Sequence, residues 1–186
     1  WVASVDWETE VPFGEGLFKQ TADTYRRIRN TFRILLGNLH DFDPNSDTVE
    51  NNNLSFIDKW ILERLHKTTC ECLDGYKNYQ FRKVFNSINN FCTNDLSSIY
   101  IDITKDRMYC DLPNSLKRRS TQSCMHKVFN DLCKLLAPIL SFTADEAWEH
   151  AGNEPGDIHC ETFPEPDPSF KPSKVSENME ILLKYR

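Results

Sequence analysis

Arg26, Arg27, Arg29 and Arg33 put four guanidinium groups into eight residues of a chain whose formal net charge is −6. A second basic group forms around "TKDRMY", with Lys105, Arg107 and Tyr109, and "SLKRRSTQ", with Lys117, Arg118 and Arg119. Guanidinium forks bind phosphate and carboxylate oxygens through paired hydrogen bonds, so the chemistry on offer is anion recognition. The anion could be a phosphate backbone. It could equally be the acids of this molecule, because basic residues on a helix flank commonly form a solvated face or local ion pairs. Lys117, Arg118 and Arg119 sit where a helix should begin, and cations there oppose the helix dipole. That mismatch favours an external anion.

Other chemistries find less support. His40, His66, His126, His150 and His159 are scattered, and none forms an H-x-x-x-H pair. No G-x-S-x-G elbow, G-x-G-x-x-G loop or P-loop occurs. The acids of "TADE" fit a helix start without any catalytic duty. The seven cysteines (Cys70, Cys72, Cys92, Cys110, Cys124, Cys133 and Cys160) are odd in number and lack zinc spacing. Cys70 and Cys72, two apart on a helix, point to nearly opposite faces. Reduced thiols, no metal and no catalytic residue are therefore expected. Trp60 and Trp148 read as core residues rather than stacking platforms.

The elements that must position the arginines are helices. Residues 1–17 carry Asp6, Glu8, Glu10 and Glu15, no basic residue and two glycines, which predicts an extended lead-in. A helix follows from near Thr21, with Tyr25, Ile28, Phe32, Leu35, Leu36 and Leu39 on one stripe. Arg26, Arg29 and Arg33 share a neighbouring stripe. After "HDFDPNSDTVENNN", Ser55 and Asp58 predict a capping box for a second helix, with Leu54, Ile57, Ile61, Leu65, Thr68, Cys72 and Tyr76 inward and Gly75 loosening its end. The longest pattern runs through Phe81, Val84, Phe85, Ile88, Cys92, Leu96, Ile99 and Ile103. "DLPNS" breaks it, and a fourth helix spans about 115–136, with Met125, Val128, Phe129, Leu132, Cys133 and Leu136 inward. Pro138 precedes a restart with Thr143 as N-cap. Pro155, Pro164, Pro166, Pro168 and Pro172 predict a wandering surface segment before "ENMEILLKYR".

The expected fold is thus all-α, an antiparallel bundle of four to five helices with an irregular Pro-rich C-terminal segment. The expected division is a lead-in over 1–17, the helical domain over 18–151, and a connector with the start of a further helix over 152–186. Trp1 is no initiator methionine and the last helix has no cap, so the chain is expected to be a piece of a larger protein. No apolar run approaches a membrane span. Charge is polarised: residues 105–134 hold seven basic residues against three acids, whereas 135–170 hold eight acids and no lysine or arginine.

Five segments in order, "TADTYRRIRNTFRILLGNL" with "DFDP", "DKWILERL", "FCTNDLSSIYIDITKDRMY", "RRSTQ" and "LAPILSFTADEAWEH", resemble the bacterial-type isoleucyl-tRNA synthetases over nearly the whole chain. The resemblance is to the region after the catalytic domain, which in that family is a helical anticodon-binding domain of a class I aminoacyl-tRNA synthetase. It implies an isoleucine-accepting tRNA as partner, together with the family's own catalytic domain, in a cytoplasmic monomer. Phosphate contacts are implied for Arg26, Arg29, Arg33, Lys105, Arg107, Lys117, Arg118 and Arg119, with Arg26 and Arg27 open to anchoring the catalytic domain instead. ATP and Mg belong to the family's catalytic domain and Zn to its C-terminal segment, so no cofactor is expected here. Two alternatives stay open. One is a purely structural or domain-docking bundle; the other is the equivalent domain of a valyl- or leucyl-tRNA synthetase, whose "LAPILSFTADEAW" region is similar.

Overall fold

A computed structural model describes residues 1–11 and 13–185; Pro12 of the expected lead-in and Arg186 of the expected last helix lie outside the described residues. The described residues contain no strand. Helix α1 covers Glu15–Asn38 and α2 Phe56–Lys77. Helix α3, Phe81–Asn90, runs on through a wider π-wound stretch, Phe91–Ile101, into α4, Asp102–Cys110. Then come α5, Leu116–Leu136, α6, Ser141–His150, and α7, Lys174–Lys184. Short reversals at 78–80 and 111–115 set α2 against α3 and α4 against α5, as expected of an up-and-down bundle.

The apolar stripes form the core. Ile28, Phe32 and Leu35 of α1 meet Ile57, Ile61, Leu65 and Cys72 of α2 and Val128, Phe129, Leu132 and Cys133 of α5, all buried. Each of the buried Ile, Leu, Val and Phe side chains contributes about 1.5–3 kcal/mol through the water it loses. Trp60 and Trp148 are buried too. Cys72 faces the core, where burial pushes its thiol up to about 12, while Cys70 is exposed.

Four local expectations give way. Helix α1 begins at Glu15 rather than near Thr21, inside the predicted lead-in; Gly14 precedes it and Glu15 suits its positive end. The long third pattern changes period: Cys92, Leu96, Tyr100, Thr104 and Met108 are buried at four-residue steps, and Ile103 is exposed. Wider winding advances the inward face by about one residue, so a 3.6-residue count picks the wrong side chain there. Thr143 does not cap α6, whose first residue is Ser141; its hydroxyl instead pairs with Tyr25 Oη at 3.1 Å. Gly75 lies within α2, where an added Cβ would come 2.7 Å from Val84 Cγ2. It permits close packing of α2 on α3 rather than loosening an end.

The C-terminal segment is irregular but seated. Ile158, Phe170 and Met179 are buried against the bundle. The buried Glu63 of α2 accepts the Ser173 N–H at 3.3 Å, Ser173 Oγ at 2.5 Å, the Ser176 N–H at 3.2 Å and the Ser176 hydroxyl. A carboxylate thereby satisfies the open first turn of α7.

Candidate nucleic-acid interface

The end of α1, the starts of α2 and α5 and the end of α4 lie together at one end of the bundle. Gln122 Nε2 of α5 donates to the Asn38 carbonyl of α1 at 2.9 Å, and Arg107 Nη1 of α4 donates to Ser55 Oγ before α2 at 3.0 Å. The two basic groups predicted from sequence meet different fates here.

Arg118 is buried. Its fork closes on Asp41, with Nη1–Oδ2 at 2.8 Å and Nη2–Oδ1 at 3.0 Å, and its Nε is buried without a partner. Arg119 donates to the Asp41 carbonyl at 2.8 Å, Gln122 Oε1 at 2.9 Å and Asn114 Oδ1 at 3.0 Å, and lies 3.3 Å from Asp47 Oδ2. These two side chains hold down the loop after α1. Burial alone would raise the Asp41 carboxyl, but the Gln122 hydrogen bond and the Arg118 charge outweigh it and hold the carboxyl below its ordinary value. The unfavourable charge at the start of α5 is thus answered from within the molecule. Ser115 also caps that helix, accepting the Arg118 N–H at 3.2 Å.

On α1, Arg26, Arg29 and Arg33 are exposed. Arg26 pairs with Asp23 at 2.6 Å and Arg29 with Glu146 of α6 at 2.8 Å, both pairs open to water. Among the described residues no carboxylate pairs with Arg27, Arg33 or Lys117. Lys105 is exposed beside Asp102, whose hydrogen bond at 3.0 Å raises the lysine's affinity for its proton. Arg107 is half-buried. Its surroundings are mixed, because Asp106 is exposed and Asp111 half-exposed near the same turn. The acid-rich stretch also reaches across: Glu161 pairs with Lys134 at 2.6 Å.

Sequence reasoning missed the centre of this end. Asp58 is fully buried and accepts Ser55 Oγ at 2.6 Å, Ser120 Oγ at 2.6 Å, Tyr100 Oη at 2.7 Å and Thr121 Oγ1 at 3.3 Å, with Arg107 Nη1 at 3.5 Å. Ser55 donates to Asp58 and makes no capping bond, so the predicted capping box does not form. Burial, together with the nearby Cys124 and Asp58, raises Tyr100 well above the ordinary phenol value, so it stays a donor. The available signal was an acid set among Ile57, Trp60 and Ile61 on the inward face of the helix.

Fold and surface define an all-helical module whose basic side chains gather along one helix and at one bundle end. Residues 58–185 match the family described as the anticodon-binding domain of tRNA ligase. Over its full length the chain is 39% identical to the isoleucine–tRNA ligase of Desulforudis audaxviator, 43% to that of Methylacidiphilum infernorum and 40% to that of Thermotoga maritima. It spans 20% of the first two proteins and 21% of the third. The chain belongs to the anticodon-binding domain family of tRNA ligases.

Proposed function

We propose that this chain is the part of an isoleucine–tRNA ligase that holds the anticodon stem and loop of an isoleucine-accepting tRNA. The supporting observation is the set of exposed cations with no carboxylate partner among the described residues, Arg33 and Lys117 foremost. Such groups fix the register of an RNA by touching its phosphates without reading its sequence. Arg26, Arg29 and Lys105 are second in rank, since a phosphate could displace their solvent-exposed partners at small cost. Arg118 and Arg119 drop out of the contact set, because their donors are spent on Asp41, Asp47, Gln122 and Asn114. Activation of isoleucine with ATP and Mg, and any bound Zn, would belong to the other four fifths of such a ligase.

The test is tRNA binding at several salt concentrations, with isoleucine tRNA and an unrelated tRNA compared. Each lost phosphate contact flattens the logarithmic salt slope by about one. The variant Arg33→Ala/Lys117→Ala should therefore flatten it by about two. An unchanged slope removes these residues from the interface, and no binding at low salt sinks the reading itself.

A docking role stands second. The exposed Trp7, Phe13 and Phe18 around the start of α1 favour it for that end of the bundle.

A further inference from the structure

Arg107 differs from every other arginine at its end of the bundle. Arg118 and Arg119 commit both terminal nitrogens to internal acceptors and bury Nε. Arg107 turns only Nη1 inward, towards Ser55 Oγ at 3.0 Å, Thr121 Oγ1 at 3.5 Å and Asp58 Oδ2 at 3.5 Å. Its Nε and Nη2 take no acceptor among the described residues, and the side chain as a whole stays 24% exposed.

The simplest account makes Arg107 the counter-ion of a buried carboxylate. The distances argue against that as its whole role. A guanidinium serving a carboxylate usually closes on it with two parallel bonds near 2.7–2.9 Å, as Arg118 does on Asp41. Asp58 instead fills its oxygens with three short hydroxyl bonds from Ser55, Ser120 and Tyr100. A carboxylate has about four lone-pair sites, and those bonds with Thr121 occupy them. Arg107 is left at the rim, held by one nitrogen and oriented by the charge behind it. A half-anchored fork loses little side-chain freedom when it meets an external anion.

We propose that Asp58 is a positioning residue which, through Ser55 and Arg107, presents the free edge of the Arg107 guanidinium to an RNA phosphate. The proposal rests on the tRNA-binding reading and names one contact within it.

The test is a cycle of Arg107→Ala, Asp58→Asn and the double variant, titrated with an isoleucine tRNA transcript at several salt concentrations, with urea unfolding alongside. Arg107→Ala should weaken binding and flatten the salt slope by about one. Asp58→Asn should flatten it similarly, and the double variant should lose no more than Arg107→Ala alone. If Asp58→Asn weakens binding as much in the Arg107→Ala background as in the wild type, Asp58 acts through the fold and the proposal fails. If Arg107→Ala binds as the wild type does, the proposal fails while the tRNA reading stands. If the wild type does not bind, both fall. Should Asp58→Asn not fold, Ser55→Ala takes its place, since it removes the nearest anchor of Arg107 and leaves the carboxylate. It must show the same flattened slope, absent in its Arg107→Ala background, or the proposal is overturned.

Discussion

The start of α5 and the outer flank of α1 carry the same side chain in two different settings. At α5 the loop after α1 folds back and brings Asp41 and Asp47 over Arg118, which is buried, and Arg119, which is largely covered. On the outer flank of α1 the α6 helix offers Glu146 to Arg29, and Arg33 stays exposed with no carboxylate partner among the described residues. A guanidinium joins whichever carboxylate the fold places within reach, and burial then makes that choice expensive to reverse. The density of arginine in a stretch therefore says little about how much positive charge a partner can use. Availability depends on which acids the loops deliver.

The largest expected consequence lies at α5. Arg118→Ala should lower the unfolding free energy by about 2–3 kcal/mol, because it empties a buried site and takes the paired fork from Asp41, which keeps the Gln122 bond at 2.7 Å and the more distant Arg119. Urea unfolding measures this directly. A loss no greater than that of a surface substitution would mean the pair is not holding the loop, and the contrast with α1 would collapse.

Acid should act next, through Asp41. The Asp41 carboxyl lies below its ordinary value of 3.8 in the folded protein. The unfolded chain therefore takes up this proton first as pH falls. Its stabilisation is complete above 3.8 and disappears as pH drops through the lower folded value. The stability gap between wild type and Asp41→Asn, followed by thermal unfolding, should be constant near neutrality and should close in that acid range. A gap that stays open would show that Asp41 works by shape and hydrogen bonding rather than by charge.

The smallest effects belong to α1. Arg29→Ala removes an exposed ion pair with Glu146 and should cost less than about 1 kcal/mol. Arg33→Ala, with no partner to lose, should fall within about 0.5 kcal/mol of wild type. If either destabilises the chain as much as Arg118→Ala, the α1 arginines are structural as well, and Arg33 should leave the proposed interface.

The helices were legible wherever one winding held throughout. Ile28, Phe32 and Leu35, the α2 series from Leu54 to Cys72, and the α5 series from Met125 to Leu136 are all inward, as their spacing predicts. Legibility failed where winding or pairing changed. Ile103 and Tyr100 exchanged places because the π-wound stretch takes four residues to return to the same face. Ser55, Asp58 and Thr143 looked like caps because short polar residues before an apolar run usually are. In the folded chain Asp58 meets Tyr100, Ser120 and Thr121, and Thr143 meets Tyr25, partners that lie far away in sequence.

The all-helical class, the inward stripes of α1, α2 and α5 and the identity of the basic residues follow from order and residue type, because apolar periodicity acts over a few turns and is written locally. Which of those basic residues remain free was decided only in three dimensions. An ion pair depends on the distance between two charges, and the acids that claimed Arg118 and Arg119 arrive on a loop more than seventy residues away. The same holds for Asp58, whose role depends on three helix ends meeting around one carboxylate.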